Sequence, residues 1–356
     1  MDLGICVASH IKDINYVVRA EELGYSHAWL ADSQMLWSDC YATLALAATQ
    51  TKEIKLGTGV AITGTRPAPV NAASIATINS LAPGRTFFGV GAGNTAMRVM
   101  GLPPHRVKQF EQYLETLVPL LKGEESDLRV GEKSIPIKHI MPEKGFVNFK
   151  DPIPLYISGF GPKSLALAGK YGDGAVLGVN TPETVKGMWH LIQEGAREIN
   201  RPLEPKNNYY TTALTSMVVL EEGEAVDSER VKSECGAMAM AAVHYNYDQY
   251  RNFGHQPPNG LADIWEDYTT LLESYPEQKR HQRIHEGHNC WVLPEEEKFL
   301  TPKVLTTSNM IGTQDQLLER LHQLSESGLD QVMILPNFDT RYEVIERVAR
   351  DIISNI

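Results

Sequence analysis

No apolar run in this 356-residue sequence is long enough to cross a bilayer, and the first strand pattern begins at Asp2-Leu3-Gly4, leaving no room for a charged leader and its apolar segment. A cytoplasmic protein without membrane partners is the expectation. Basic charge is also short. With 33 Lys and Arg against 44 Asp and Glu, the formal charge of −11 argues against nucleic acid as a partner, because a phosphate-backbone footprint needs clustered cations. Small molecules are the expected partners. Cysteine is scarce and scattered: Cys6, Cys40, Cys235 and Cys290 form no CxxC, so neither a disulfide framework nor a zinc ribbon is suggested. Aromatics are only 8% of residues, yet 42% hydrophobic content suffices for a large core.

What is present centres on Ile54 to Asn94. A short apolar run, Ile54 to Val60, breaks into Gly, Thr and Pro; a helical pattern follows from Asn71 to Ala82; a second apolar run, Thr86 to Val90, ends in Gly91-Ala92-Gly93-Asn94. Short continuous apolar runs read as buried strands, and Ile75, Ile78 and Leu81 form the one-sided stripe of a helix packed on them. The unit is a βαβ crossover with both strands ending in Gly-rich loops on one side, where backbone amides can approach a ligand.

The alternation extends along the chain. Strands are expected at Leu3 to Val7, His27 to Ala31, Pro154 to Ile157, Gly174 to Leu177, Tyr210 to Leu220 and Gln331 to Leu335; helices at Ile11 to Leu23, Tyr41 to Gln50, Arg106 to Lys122, Lys163 to Lys170, Pro182 to Ile199 and Tyr342 to Ile353. Thr313-Gln-Asp-Gln316 reads as a capping box ahead of a Leu317, Leu321, Leu324 stripe. The segment 124–151 is an irregular insertion, suggestive of a hairpin. Between Glu221 and Met310 lies a largely helical insertion or lid, with helical segments around Ser228 to Val243 and Leu261 to Ser274. Eight strands, each followed by a helix, fit a single α/β domain built as a TIM-like (β/α)8 barrel, its largest insertion before the last strand, better than an open doubly wound sheet.

Several patterns carry chemistry. Gly91-Ala-Gly93-Asn-Thr-Ala96 formally matches the dinucleotide fingerprint, but it follows the fourth strand, and Glu111 and Glu115 lie on a helix instead of at a strand end. Ser158-Gly159-Phe160-Gly161-Pro162-Lys163 follows a strand and opens a helix, with Pro162 preset for the first turn. Free amides at Gly161, Lys163 and Ser164 would make a phosphate seat; a tight strand-to-helix turn that needs glycine for geometry alone is the equal alternative. Asp32 stands at the carboxyl end of the second strand, where barrel enzymes keep polar site residues, or it caps a helix. His281, His285 and His288, spaced by four and three, would share a helix face around a metal; an exposed polar helix interrupted by Gly287 is the plainer account, and no metal is assigned.

The runs ADS at 31–33, KLGTGV at 55–60, Arg66-Pro67, SIATINSLAPGRTFFGVGAGN at 74–94, PLYISGFGPKSLALAGKYGDGAVL at 154–177 and IGTQDQ at 311–316 resemble the bacterial luciferase-like flavin-dependent oxidoreductases, most of all the methylenetetrahydromethanopterin reductase branch, which depends on the deazaflavin coenzyme F420. The resemblance implies a TIM-like barrel with FMN or F420 at the carboxyl ends of its strands. It places a non-proline cis peptide at Gly59-Val60, a bulge under the ring, with Ala61 following; Asp32 and Asn94 line the ring pocket; Ser158, Gly159, Phe160 and Gly161 hold the phosphate; Gly178 and Val179 border the tail. Two positions depart from many F420 enzymes: Ser33 stands in place of a His and Asn94 in place of an acid. Neither carries a proton near neutrality, so alcohol dehydrogenation is disfavoured, while hydride transfer or oxygen activation stands. The catalytic residue is not identified by sequence. The resemblance further implies a homodimer and, for an FMN-dependent monooxygenase, a partner flavin reductase. A non-catalytic flavin-binding protein and a metal-dependent barrel hydrolase are the alternatives.

Overall fold

The computed structural model describes residues 1–178 and 181–356. In chain order the elements are β1 (Asp2–Val7), α1 (Asn15–Glu22), β2 (His27–Leu30), α2 (Cys40–Gln50), β3 (Lys55–Thr58), β4 (Ala61–Ile62), α3 (Ala68–Leu81), β5 (Thr86–Gly91), α4 (Asn94–Arg98), α5 (Val107–Leu121), β6 (Ser126–Val130), β7 (Lys133–Ile137), β8 (Leu155–Ser158), α6 (Pro162–Tyr171), β9 (Gly174–Leu177), α7 (Pro182–Arg197), β10 (Tyr210–Thr215), β11 (Met217–Val219), α8 (Glu229–Phe253), α9 (Trp265–Glu273), α10 (Arg280–Arg283), α11 (Pro302–Ser308), β12 (Met310–Gly312), α12 (Gln314–Glu326), β13 (Gln331–Ile334) and α13 (Arg341–Asp351). The chain divides into two compact units, one of residues 1–98, 102–214 and 324–333, the other of 99–101, 215–323 and 334–356.

The first unit holds the barrel. Its strands run β3-β2-β1-β13-β10-β9-β8-β5, and β3 pairs with β5 to close eight strands on themselves, with the short β4 continuing along β5. Neighbours are parallel, with Gly4 opposite His27, Ala28 opposite Leu56 and Phe88 opposite Leu155. Alternate side chains face inward, and the rings of Trp29 and Phe87 lie 4.3 Å apart, Trp29 and Tyr156 5.5 Å, Tyr156 and Tyr210 5.6 Å. Gly57 and Gly174 make the room: a Cβ on Gly57 would lie 2.3 Å from the Phe87 ring, and one on Gly174 2.6 Å from Tyr156. Polar atoms in this layer are matched by Gln331, whose Oε1 accepts from Trp29 Nε1 and from Thr212 Oγ1, both at 2.9 Å. Outside the barrel, the hairpin expected within 124–151 is the antiparallel pair β6–β7.

The second unit is mainly helical. Val231, Cys235, Ala239, Val243 and Tyr247 repeat every fourth residue of α8 and bury one face among Leu261, Tyr268, Leu272, Phe299 and Leu305. That stripe carries α8 ten residues past the expected end at Val243, to Phe253, where Gly254 closes it at φ 71°. The strand expected from Tyr210 to Leu220 is two strands. The chain turns at Thr215-Ser216, where the Ser216 hydroxyl donates to Leu335 O and Thr215 Oγ1 donates to Ser308 O at 2.9 Å, and β11 then pairs in parallel with β12, a strand that sequence reading missed. The capping box is formed in both directions: Thr313 N donates to Gln316 Oε1 at 2.9 Å and Gln316 N to Thr313 Oγ1 at 3.4 Å. Among the described residues no helix is long and apolar enough to cross a membrane.

Candidate functional site

The polar features of the barrel unit gather at the carboxyl ends of β2, β3, β5, β8 and β9. The peptide bond between Gly59 and Val60 is cis, as expected, and separates β3 from β4. Gly59 lies against Trp29, so that a Cβ there would stand 2.6 Å from the Trp29 Cβ. Val60 lies against β5: a Cβ on Gly91 would stand 3.0 Å from Val60 Cγ2 and 3.3 Å from Ser158 Cβ, which puts Val60, Gly91 and Ser158 side by side. Ala61 is buried on β4. The next loop contributes Thr63, whose amide donates to Gly91 O at 3.2 Å; its hydroxyl is buried and finds no partner among the described residues.

The Ser158-to-Gly161 turn leads into α6. Gly159 N donates to Val176 O at 3.3 Å, and a Cβ on Gly159 would lie 2.9 Å from Ser164, so the turn closes only without a side chain there. Ser164 Oγ donates to Gly161 O at 2.9 Å and accepts from Gly161 N at 3.2 Å. The Gly161 amide is thus already used within the turn, contrary to expectation. The amides of Lys163 and Ser164 have no partner among the described residues and stand at the positive end of α6. The half-exposed Phe160 ring covers Gly178, where a Cβ would come within 3.0 Å of it. Val179 lies outside the described residues.

Asp32 is 3% exposed at the end of β2 and ion-pairs with Arg66 Nη1, while Arg66 Nη2 donates to Asp39 Oδ2 at 2.7 Å. The loop between β2 and α2 is tied to α4, Gln34 Nε2 donating to Ala96 O at 2.8 Å. Asn94, the first residue of α4, accepts from Arg98 Nε at 3.0 Å through its side-chain oxygen. Burial opposes the charge of Arg66, but the hydrogen bond and charge of Asp32 outweigh it and raise its pKa; burial pushes the Tyr41 and Tyr113 phenols and the Cys40 thiol upward. Asp39, Tyr41, Asn71 and Tyr113 were missed by sequence reading. The one signal was polarity on the buried side of α3, where Asn71 precedes Ile75 by one helical turn.

The histidine pattern is not a shared helix face. The helix α10 stops at Arg283, His285 Nδ1 lies 2.7 Å from His281 O, and His288 is partly buried, its pKa lowered to about 3 by desolvation and by His285 and His244. Among the described residues no three His, Cys, Asp or Glu side chains are arranged to hold a metal ion. Glu111 and Glu115 lie on α5, Glu111 paired with Lys170 at 2.8 Å and Glu115 with Arg129 at 3.3 Å.

The chain is similar to known proteins over nearly its whole length. The chain is 31% identical over 353 residues to the 5,10-methylenetetrahydromethanopterin reductase of Methanolobus tindarius, covering 96% of each. Its fold is similar to that of the coenzyme F420 dependent tetrahydromethanopterin reductase from Methanopyrus kandleri, with 19% identity, a TM-score of 0.69 and coverage of 99% of both chains. It is also similar to the oxygenating constituent of 3,6-diketocamphane monooxygenase from Pseudomonas putida, solved in complex with FMN, with 15% identity, a TM-score of 0.63 and coverage of 100% of this chain and 99% of that one. The profile of the luciferase-like monooxygenase family matches residues 11–331, and the chain belongs to that family.

Proposed function

We propose that this protein is an oxidoreductase that uses coenzyme F420 or FMN at the carboxyl ends of its barrel strands to transform a small organic substrate. The observation that carries this reading is the 31% identity to a reductase, sustained over 96% of both chains. The site's own residues fit such a coenzyme. Each of the two coenzymes bears a phosphate, and the Lys163 and Ser164 amides at the start of α6, in a turn that closes tightly at Gly159, are suited to hold it. The orphan Thr63 hydroxyl and the Asp32 carboxylate would meet polar atoms of a ring. Gly59, Val60 and Ala61 would support the ring, Asn94 would offer its amide N–H, and Phe160 and Gly178 would border the tail. When bound, F420 supplies hydride chemistry and reduced FMN supplies oxygen chemistry.

Hydride transfer with F420 is favoured by the relative's end-to-end similarity. An FMN-dependent monooxygenase is the second reading, supported by the FMN-bound neighbour of the same fold; it would draw on a partner flavin reductase. Ser33 and Asn94 would orient a ring by hydrogen bonds and carry no proton in either case. Exposed Leu46 on α2 and Val70 and Leu81 on α3 support a homodimer, and four buried free thiols support a reducing cytoplasm.

The test is a titration of purified protein with F420 and, separately, with FMN, followed by absorbance and ring fluorescence. Tight binding of F420 alone is the expected result. Tight binding of FMN alone favours the monooxygenase, and binding of neither overturns the proposal.

A further inference from the structure

A carboxylate as buried as Asp32 needs a partner, since an unpaired charge away from water is far costlier than a paired one. Arg66 is that partner, and its surroundings leave it little freedom. One guanidinium nitrogen is held by Asp32 and another by Asp39 at 2.7 Å, and the guanidinium carbon lies 5.0 Å from the centre of the Tyr41 ring. Each support is held in turn. Asp39 caps α2, its Oδ1 accepting from Ala42 N at 3.0 Å. The Tyr41 phenol donates to Asn71 Oδ1 at 2.7 Å, and Asn71 Nδ2 donates to the Tyr113 oxygen at 2.6 Å. Three helices, α2, α3 and α5, thus converge on one arginine beside the strand end. Buried ion pairs are weak sources of stability, and well-packed apolar residues would hold these elements as firmly. Such a support is warranted where the carboxylate must stay in one place.

We propose that Arg66 is a positioning residue that holds the Asp32 carboxylate at the end of β2 as the hydrogen-bond acceptor for an N–H of the bound coenzyme ring. The inference rests on the proposed function. Both rings carry such an N–H in their pyrimidine portion, and an ionised carboxylate accepts without donating. The titratable and charged groups facing Asp32 are Arg66 and Asp39, Cys40 and Tyr41 from α2, and Tyr113 from α5. The thiol and both phenols are pushed upward by burial, so they stay neutral between about pH 5 and pH 8. Without Arg66, the buried carboxylate would lose the charge partner that fixes its orientation at the strand end.

The experiment is a fluorescence titration with F420 and with FMN on the wild type, Arg66→Met, Arg66→Lys, Asp32→Asn and the double variant Asp32→Asn/Arg66→Met. Arg66→Met weakens binding of the accepted coenzyme about tenfold or more, Arg66→Lys restores much of that loss, and Asp32→Asn binds weakly. The double variant matches Asp32→Asn, because Arg66 acts only through Asp32. A wild-type affinity in Arg66→Met overturns the inference, as does a further loss in the double variant. Should Arg66→Met not fold, the comparison of the double variant with Asp32→Asn decides. Wild-type protein that binds neither coenzyme overturns the function itself, an outcome separate from the variants.

Discussion

Trp29 and Gln331 meet inside the barrel, the indole N–H donating to the Gln331 side-chain oxygen at 2.9 Å although 302 positions separate them in the chain. Gln331 is completely buried and also accepts from Thr212, while its amide donates to Ser26 Oγ at 3.1 Å and lies 2.7 Å from His27 Nδ1. It joins β2, β10 and β13. Replacing it by Met keeps the volume and strands the indole and the Thr212 hydroxyl, so Gln331→Met should cost about 3 kcal/mol in denaturant unfolding. Trp29 also touches Gly59, so a loosened floor would reach the site above it; coenzyme affinity unchanged beside a lost 3 kcal/mol would show the two layers to be independent.

His27 gives the same floor a pH dependence. Burial, with the charge of Lys55, lowers its pKa to about 3. The folded state therefore keeps the imidazole neutral, while the unfolded chain protonates near its ordinary pKa of about 6.5. Its contribution is complete above that value and is lost as pH falls, at up to about 1.4 kcal/mol per pH unit. The destabilisation caused by His27→Gln should then be largest near neutrality and shrink toward pH 5, as followed by urea unfolding at a series of pH values. A penalty that is constant with pH would mean that the imidazole is solvated in the fold.

In the second unit, Glu234 is 3% exposed and accepts from Arg230 Nη1 at 3.0 and 3.1 Å and from Arg347, which joins α8 to α13. Glu234→Leu leaves two guanidinium groups without their shared carboxylate. A loss of about 3 to 5 kcal/mol is expected in thermal or denaturant unfolding. Removing Glu234 and Arg347 together should cost less than the sum of the two single changes.

The turn before α6 offers a direct test of coenzyme binding. A Cβ at Gly159 would lie 2.9 Å from the Ser164 backbone and hydroxyl, so Gly159→Ala must shift the start of the helix. A loss of about tenfold in affinity for F420 or FMN, near 1.4 kcal/mol, is expected with the far-ultraviolet dichroism unchanged. Lys163→Ala removes a solvent-exposed side chain and keeps the backbone amide, so a smaller loss that grows at low salt should follow.

The order of strands and helices was readable because each is specified within a few residues of itself. Apolar runs such as Thr86 to Val90, the Thr313–Gln316 box and the Leu317, Leu321, Leu324 stripe carry their periodicity on the chain, and the Ser158 to Lys163 turn announces itself by glycine and proline. Local pattern failed where partners are remote. The three-residue strand β12 has no signal of its own and exists because Val218 of β11 stands opposite Ile311. The histidine spacing implied a common face only for a helix that continues, and this one ends at Arg283.

Sequence by itself determined the eight strand and helix alternations and the glycine-rich ends where a coenzyme can lie, since steric freedom and hydrophobic period are local properties. Tertiary structure alone decided that Asp32 is buried, that Arg66 is its partner, and that Tyr41, Asn71 and Tyr113 from three helices hold that partner in place. Charge and hydrogen-bond complementarity act through space, and the chain brings those groups within reach of one another only when the barrel closes.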